Sequence, residues 1–286
     1  MRARSWPRLP FTPKGVASWA DAPTGRVILL MAAASLVVSA AVAFLAQKVL
    51  FPAIEEAIQH LPDQGRIELG QLSLESAKSG ALSENPWVSL VLDLDEPSSI
   101  TRTADLQVRL QKNGWLACSL AGCVAWPYPA AALPMNNREC EPWWGAWAPI
   151  LLAGLFLGTA LISATLIGLS AAFHAVPANL LVWILRRRAG FVGLWRIAVA
   201  ASIPSILLVS ISLAAYALGI LDLIQLLSAC LIQLPIFWGL GLAALAGLPR
   251  RQPDVAQAEN PFAPPEPEPG PDPQPDESKN PFAPRG

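Results

Sequence analysis

Apolar and polar positions fall into two kinds of pattern along this chain: long runs without a charged side chain, and one stretch of short-period alternation between the first two runs. The first run, Val27 to Gln47, holds 21 residues, about 32 Å of helix, which matches the roughly 30 Å hydrocarbon core of a bilayer. The next, Pro142 to Leu185, holds 44 and would reach roughly 66 Å as one straight helix, more than twice that core. A span is therefore expected from about Ala148 to Phe173, entered through an interfacial belt of Trp143, Trp144 and Trp147. Pro177 is expected to kink a short continuation to Leu185 along the inner interface, which places His174 at that interface too. Ile197 to Leu218 and Leu223 to Leu248 supply two further spans, separated by a turn over Gly219 to Asp222.

Between the first two spans the period shortens. Phe51 to Leu61 opens with Pro52 and sets Ile54, Ile58 and Leu61 on one face, the spacing of an amphipathic helix that prolongs the first span. Ile67 and Leu69, then Leu72 and Leu74, alternate with polar residues on either side of a tight turn or bulge at Gly70. Val88 to Leu94 and Leu106 to Leu110 alternate as half-buried strands do, and Asn113-Gly114 predicts a two-residue hairpin turn into Trp115 to Leu120. In this reading Asp93 and Asp95 lie on a solvated strand face.

Charge orients the spans, because short cytoplasmic segments carry the excess of Lys and Arg. Arg2, Arg4, Arg8, Lys14 and Arg26 precede the first span, Arg186, Arg187, Arg188 and Arg196 separate the second from the third, and Arg250 and Arg251 follow the fourth. Four crossings with both termini inside satisfy all three clusters. The predicted fold class is an integral membrane α-helical protein of four spans with a small extracytoplasmic α+β domain and a disordered Pro-rich C-terminal tail, in the plasma (inner) membrane. Its parts are a cytoplasmic segment 1–26, a first span 27–50, the α+β domain 51–147, spans two to four within 148–248 with the arginine loop at 186–196, and the tail 249–286. Ala41-Val42-Ala43 before Phe44 has the small residues of a signal-peptidase site, but the long basic segment ahead of it and the apolar continuation through Leu50 favour an uncleaved anchor.

Composition sharpens this picture. Hydrophobic residues make up 53% and charged residues 14%, far from the roughly 25% charged of a soluble domain. The net charge of -1 gives no field to attract nucleic acid. Of 28 prolines, 12 fall between Pro249 and Pro284, in a segment with too few apolar residues to bury a core. Within it Asn260-Pro261-Phe262-Ala263-Pro264 recurs as Asn280-Pro281-Phe282-Ala283-Pro284. Asn-Pro favours a turn that presents the lone Phe, so the repeat suits a bivalent docking site for a cytoplasmic protein partner; a solubilising low-complexity tail is the plainer alternative.

Candidate chemistry is sparse. Cys118 and Cys123 bracket four residues and can bridge in an oxidising space, free thiols or a zinc site being the alternatives, while Cys140 and Cys230 stand apart. Asp222, Gln225 and Gln233 are polar groups at or within the fourth span and form a candidate intramembrane site, with a solvated turn the simpler account of Asp222. No phosphate-loop, dinucleotide, zinc-protease or hydrolase signature is present, and no enzyme activity, metal or cofactor is expected.

The order of features resembles an uncharacterised bacterial multi-pass membrane-protein family, some members of which are labelled maltodextrin-utilisation proteins. The resemblance rests on Pro13-Lys14 before the first span, on Leu61-Pro62 followed by Ile67-Glu68-Leu69-Gly70-Gln71-Leu72, and on Leu194-Trp195-Arg196 entering a span that bears Pro204. It implies an N-terminal anchor, an extracytoplasmic domain and a C-terminal helical bundle, with no established reaction. The Pro-rich tail and the cysteines of residues 51–147 depart from that pattern. The expected function is a non-enzymatic membrane protein that couples an extracytoplasmic sensing or scaffolding domain to a cytoplasmic docking tail, its partners being the lipid bilayer and a tail-binding protein. A transporter or transport accessory subunit is the alternative.

Overall fold

The structure, a computed structural model, describes residues 7–74, 78–94 and 104–250. Asp95 and the two Asn-Pro-Phe copies lie outside the described residues. Residues 1–250 form one unit. Four helices in it are long and apolar enough to cross a membrane, Thr24–Gln59, Asn137–Ile184, Phe191–Ala217 and Leu223–Ala246, as a multi-pass membrane protein requires.

A short helix α1 (Pro13–Ala17) comes first, capped by Thr12, whose side chain accepts from the Gly15 N–H. Gly15 is required there because a side chain would collide with the Leu9 carbonyl. The first crossing then starts as α2 (Thr24–Leu45), widens through one π-helical turn (Ala46–Leu50) and continues as α3 (Phe51–Gln59). Pro52 explains the wide turn: it has no N–H to return to Lys48 and its ring crowds that residue's carbonyl. The ladder opens to let the Phe51 N–H reach back five residues to Ala46.

The strands form two sheets. In the first, β1 (Gly65–Glu68) is flanked by β2 (Gln71–Leu74) and, from far along the chain, β8 (Leu133–Pro134), all antiparallel. Glu68 pairs with Gln71, so Leu69 and Gly70 make a two-residue turn with φ of 49° and 76°, the geometry that suits a twisted hairpin. The second sheet has the order β3-β4-β5-β6-β7, comprising β3 (Gly80–Glu84), β4 (Val88–Asp93), β5 (Leu106–Gln111), β6 (Gly114–Ser119) and β7 (Gly122–Pro127). All pairs are antiparallel except β4 with β5.

That one parallel pair corrects the sequence reading of Asp93. Strands in parallel pairs are commonly buried on both faces. Ser89, Val91 and Asp93 are accordingly as buried as Val88 and Leu92 on the other face, and Gln111 donates to Asp93 Oδ2 at 3.2 Å. The β5–β6 hairpin also turns one residue earlier than Asn113-Gly114 predicts: Gln111 pairs with Gly114, so Lys112 and Asn113 make the turn. Gly114 serves the strand instead, where a side chain would press on the Trp126 carbonyl.

The chain returns through α4 (Asn137–Ile184), α5 (Phe191–Ala217) and α6 (Leu223–Ala246). Asn136 caps α4 by accepting from the Glu139 N–H at 3.0 Å. The helix then runs for 48 residues, about 72 Å, through Pro142, Pro149 and Pro177 alike. The continuation to Leu185 expected beyond Pro177 belongs to α4 itself, which runs through the proline as one helix to Ile184. Ala171, Ala175 and Val182 around it are buried in a core shared with Val16, Val27, Leu194, Ile197 and Leu245, and this packing offsets the helix-interior cost of about 3 kcal/mol for a proline.

Candidate functional site

Two features stand out once the elements are in place: a joint between the β sheets and α5, and a polar cavity among the long helices. The joint is built from Asn85, just ahead of β4. Its Oδ1 accepts from the N–H groups of Trp87 and Val88 at 3.0 and 2.7 Å, fixing the entry to the strand, and its Nδ2 donates to the Val49 carbonyl at 3.3 Å in the π turn. So oriented, Trp87 donates from Nε1 to the Tyr216 carbonyl at 3.0 Å and meets the Tyr216 ring edge-on at a centroid distance of 6.4 Å. Tyr216 in turn donates from its hydroxyl to Asp105 Oδ2 at 2.8 Å. Val49, Ala53, Val88 and Ala217 form the apolar floor of this joint. Gly219 beside the indole takes the left-handed φ of 72° that favours glycine.

The cavity holds about 470 Å³ and is lined by α2, α4, α5 and α6. Its polar lining is Ser163, Ser170, His174, Ser202, Ser205 and Gln233, set among Val38, Ile167, Leu234 and Phe237. Among the described residues no Asp, Glu, Lys or Arg lines it. Helical backbone takes up most of the hydroxyl protons: Ser163 donates to the Thr159 carbonyl at 2.7 Å, Ser202 to Val199 at 2.8 Å, and Ser205 crosses to the Gln233 carbonyl on α6 at 3.0 Å. Pro204 and Pro235 lie beside that cross-helix bond; each leaves a carbonyl four residues earlier without its usual donor. His174 Nδ1 lies 2.7 Å from the Ser170 carbonyl. A carbonyl only accepts, so Nδ1 carries the proton and Nε2 of the neutral ring keeps its lone pair. Phe173, Phe237 and Trp238 surround the ring at centroid distances of 5.6, 4.7 and 5.0 Å. A second, smaller cavity of about 130 Å³ adjoins the first and shares His174, Ala198 and Phe237 with it; its other walls include Leu181, Leu194, Leu242 and Leu245.

The residues singled out in the sequence separate in space. Asp222 and Gln225 come together at the start of α6, where the Asp222 carboxylate accepts from the Gln225 N–H at 2.7 Å and the Gln225 side chain accepts from the Asp222 N–H at 3.0 Å. This reciprocal cap satisfies two backbone donors. Gln233 sits eight positions further along α6 and faces the cavity instead. Cys118 and Cys123 oppose each other across β6 and β7 with Cα atoms 4.0 Å apart and are joined as a disulfide; Cys140 and Cys230 are free.

His174, assigned by the sequence to the inner interface, forms part of the cavity wall on an α4 that continues past it. The cavity serines went unread, yet a signal was there: Ser163, Ser170 and His174 follow one another at seven and four positions, the spacing of one helix face. Comparison with known families, characterised proteins and solved structures yields no match.

Proposed function

We propose that this chain is a non-enzymatic multi-pass membrane protein that couples an extracytoplasmic sensing or scaffolding domain to a cytoplasmic docking tail. The observation that carries this reading is the Trp87–Tyr216–Asp105 joint, which ties the sheets to α5 by two hydrogen bonds and a ring contact. Two further elements serve the same end, since α2 continues through its π turn into α3, which packs on β3 and β4, and separately α4 starts just after β8 and runs on into the bundle. A domain tethered by flexible loops would transmit nothing; one held by rigid helices and a polar joint moves them when it moves. The three clusters of basic residues support placement of residues 51–147 across the bilayer from Arg186 to Arg188 and Arg250. The tail repeat supplies two docking motifs, Asn260-Pro261-Phe262 and Asn280-Pro281-Phe282.

Orientation is tested by thiol labelling of intact cells in a Cys140→Ser, Cys230→Ser background. Leu69→Cys should react with a membrane-impermeant maleimide and Arg250→Cys only after lysis; equal reaction of both overturns the reading. Coupling is tested by hydrogen exchange on Tyr216→Phe, which removes the bond to Asp105. Faster exchange in the loop 186–190, at the far end of α5, is the expected result. Loss of protection confined to residues 85–106 would leave a mere anchor.

A further inference from the structure

The cavity among the four long helices is not used by the joint, and its chemistry points to an occupant. Its volume of about 470 Å³ is within the roughly 300–1,000 Å³ of ligand pockets, and more than ten times the roughly 30 Å³ that a water fills in the liquid. Charge narrows the choice first. Among the described residues the lining holds no Lys or Arg to receive a phosphate or carboxylate and no Asp or Glu to receive a cation, and an ion removed from water without a counter-charge is expensive. The occupant is uncharged.

Hydrogen-bonding capacity narrows it again. Ser163, Ser202 and Ser205 spend their protons on backbone carbonyls, so toward the cavity they offer oxygen lone pairs. His174, with its Nδ1 proton held by Ser170, offers the Nε2 lone pair. The lining is therefore rich in acceptors, with the Gln233 amide as its versatile member, and the complementary head group supplies donors, which for a neutral compound means hydroxyls. The adjoining cavity of about 130 Å³ shares His174, Ala198 and Phe237 and is walled by Leu181, Leu194, Leu242 and Leu245. A molecule with its head among the serines has a place for hydrocarbon immediately beside it.

We propose that this double cavity binds a neutral hydroxyl-bearing lipid of the acylglycerol class, its glyceryl head against Ser202, Gln233 and His174 Nε2 and the start of its chain against Leu181 and Leu242. This holds whether or not the β sheets act as a sensing domain.

The full chain in phosphatidylcholine nanodiscs is to be photolabelled with a monoacylglycerol carrying a diazirine on its acyl chain, and the labelled peptides mapped by mass spectrometry. Labelling is expected on segments 177–181 and 238–245, displaced by unlabelled monoolein but not by methyl oleate, which lacks the hydroxyls, nor by oleate, which is charged. Gln233→Leu is expected to weaken monoolein competition about tenfold and Ser202→Ala about fivefold, the effect of losing one hydrogen bond each. Ser228→Ala, on α6 but away from the cavity, controls for folding and should leave competition unchanged. Displacement by methyl oleate as effective as by monoolein would overturn the proposal by reducing the site to a greasy groove. Displacement by glycerol alone at concentrations similar to monoolein would overturn the lipid assignment in favour of a free polyol. Unchanged competition in both cavity variants would also overturn it.

Discussion

Tyr128 shows how a single side chain sets a measurable property of the β sheets. It lies in their core with Ala57, Leu61, Ile67 and Leu92, and its hydroxyl finds no partner among the described residues. Burial disfavours the phenolate and pushes its pKa up from 10.0 to about 12. A group raised in the folded state contributes its full share of stability below the unfolded pKa near 10 and loses it as pH climbs toward 12. Unfolding followed from pH 9 to pH 12 should therefore show a decline that Tyr128→Phe lessens. At neutral pH the same variant should be neutral or stabilising, since an unpaired buried hydroxyl is removed. Leu69 offers the opposite case: it is 88% exposed and held at φ 49°, a left-handed conformation that costs a residue with a Cβ roughly 1–2 kcal/mol. Leu69→Gly should raise the midpoint of thermal unfolding, by the equivalent of about 0.5–1 kcal/mol after the chain-entropy cost of glycine. Asp222 and Gln225, read from the sequence as a solvated turn or part of an intramembrane site, have the i, i+3 spacing of a helix cap and form one. Nothing in a linear pattern says that Gln233 would part from them to join Ser205 and His174, because that grouping depends on how α4, α5 and α6 pack.

Among the elements, the long helices were legible because their apolar runs need no partner to be recognised. β1, β2, β4 and β5 were legible by their alternation, and β6 by the Asn113-Gly114 turn signal ahead of it. β3 and β7 were not. β7 is apolar throughout and exposed at every position, so it has no polar and apolar alternation to read and owes its place to pairing with β6 and to the disulfide at Cys118 and Cys123. Asp93 misled for a related reason: strand order decides which faces are covered, and the parallel pairing of β4 with β5 cannot be seen in either strand alone. The π turn and Asn85 belong together at this scale, since the amide holds both the start of β4 and the Val49 carbonyl. Asn85→Ala removes all three bonds and should cost about 1–2 kcal/mol, read as a lower unfolding temperature accompanied by loss of the fluorescence environment of Trp87. A drop in stability without a change at Trp87 would separate the strand entry from the joint.

At the level of the whole molecule, the sheets and the helical bundle meet through α2 with α3, through α4, and through the joint on α5, while α6 closes the cavity. The core built by α1, α2, α4, α5 and α6 lies at the arginine-bearing end. There Arg187 donates to the Leu248 carbonyl at 2.6 Å and Arg196 to the Ala20 carbonyl at 3.2 Å and to Thr24 Oγ1 at 3.0 Å. These arginines serve as structural clamps on neighbouring chain segments. The uninterrupted course of α4 has one more implication. Each residue of a helix advances the azimuth by about 100°, so inserting a single alanine near Gly158 would swing everything beyond it out of phase with everything before it. Seven inserted residues complete nearly two turns and restore the phase. Activity or assembly plotted against insert length should therefore oscillate with a helical repeat, as it would along a drive shaft, and a monotonic decay would mean that the two ends of this rod are indifferent to each other's rotation.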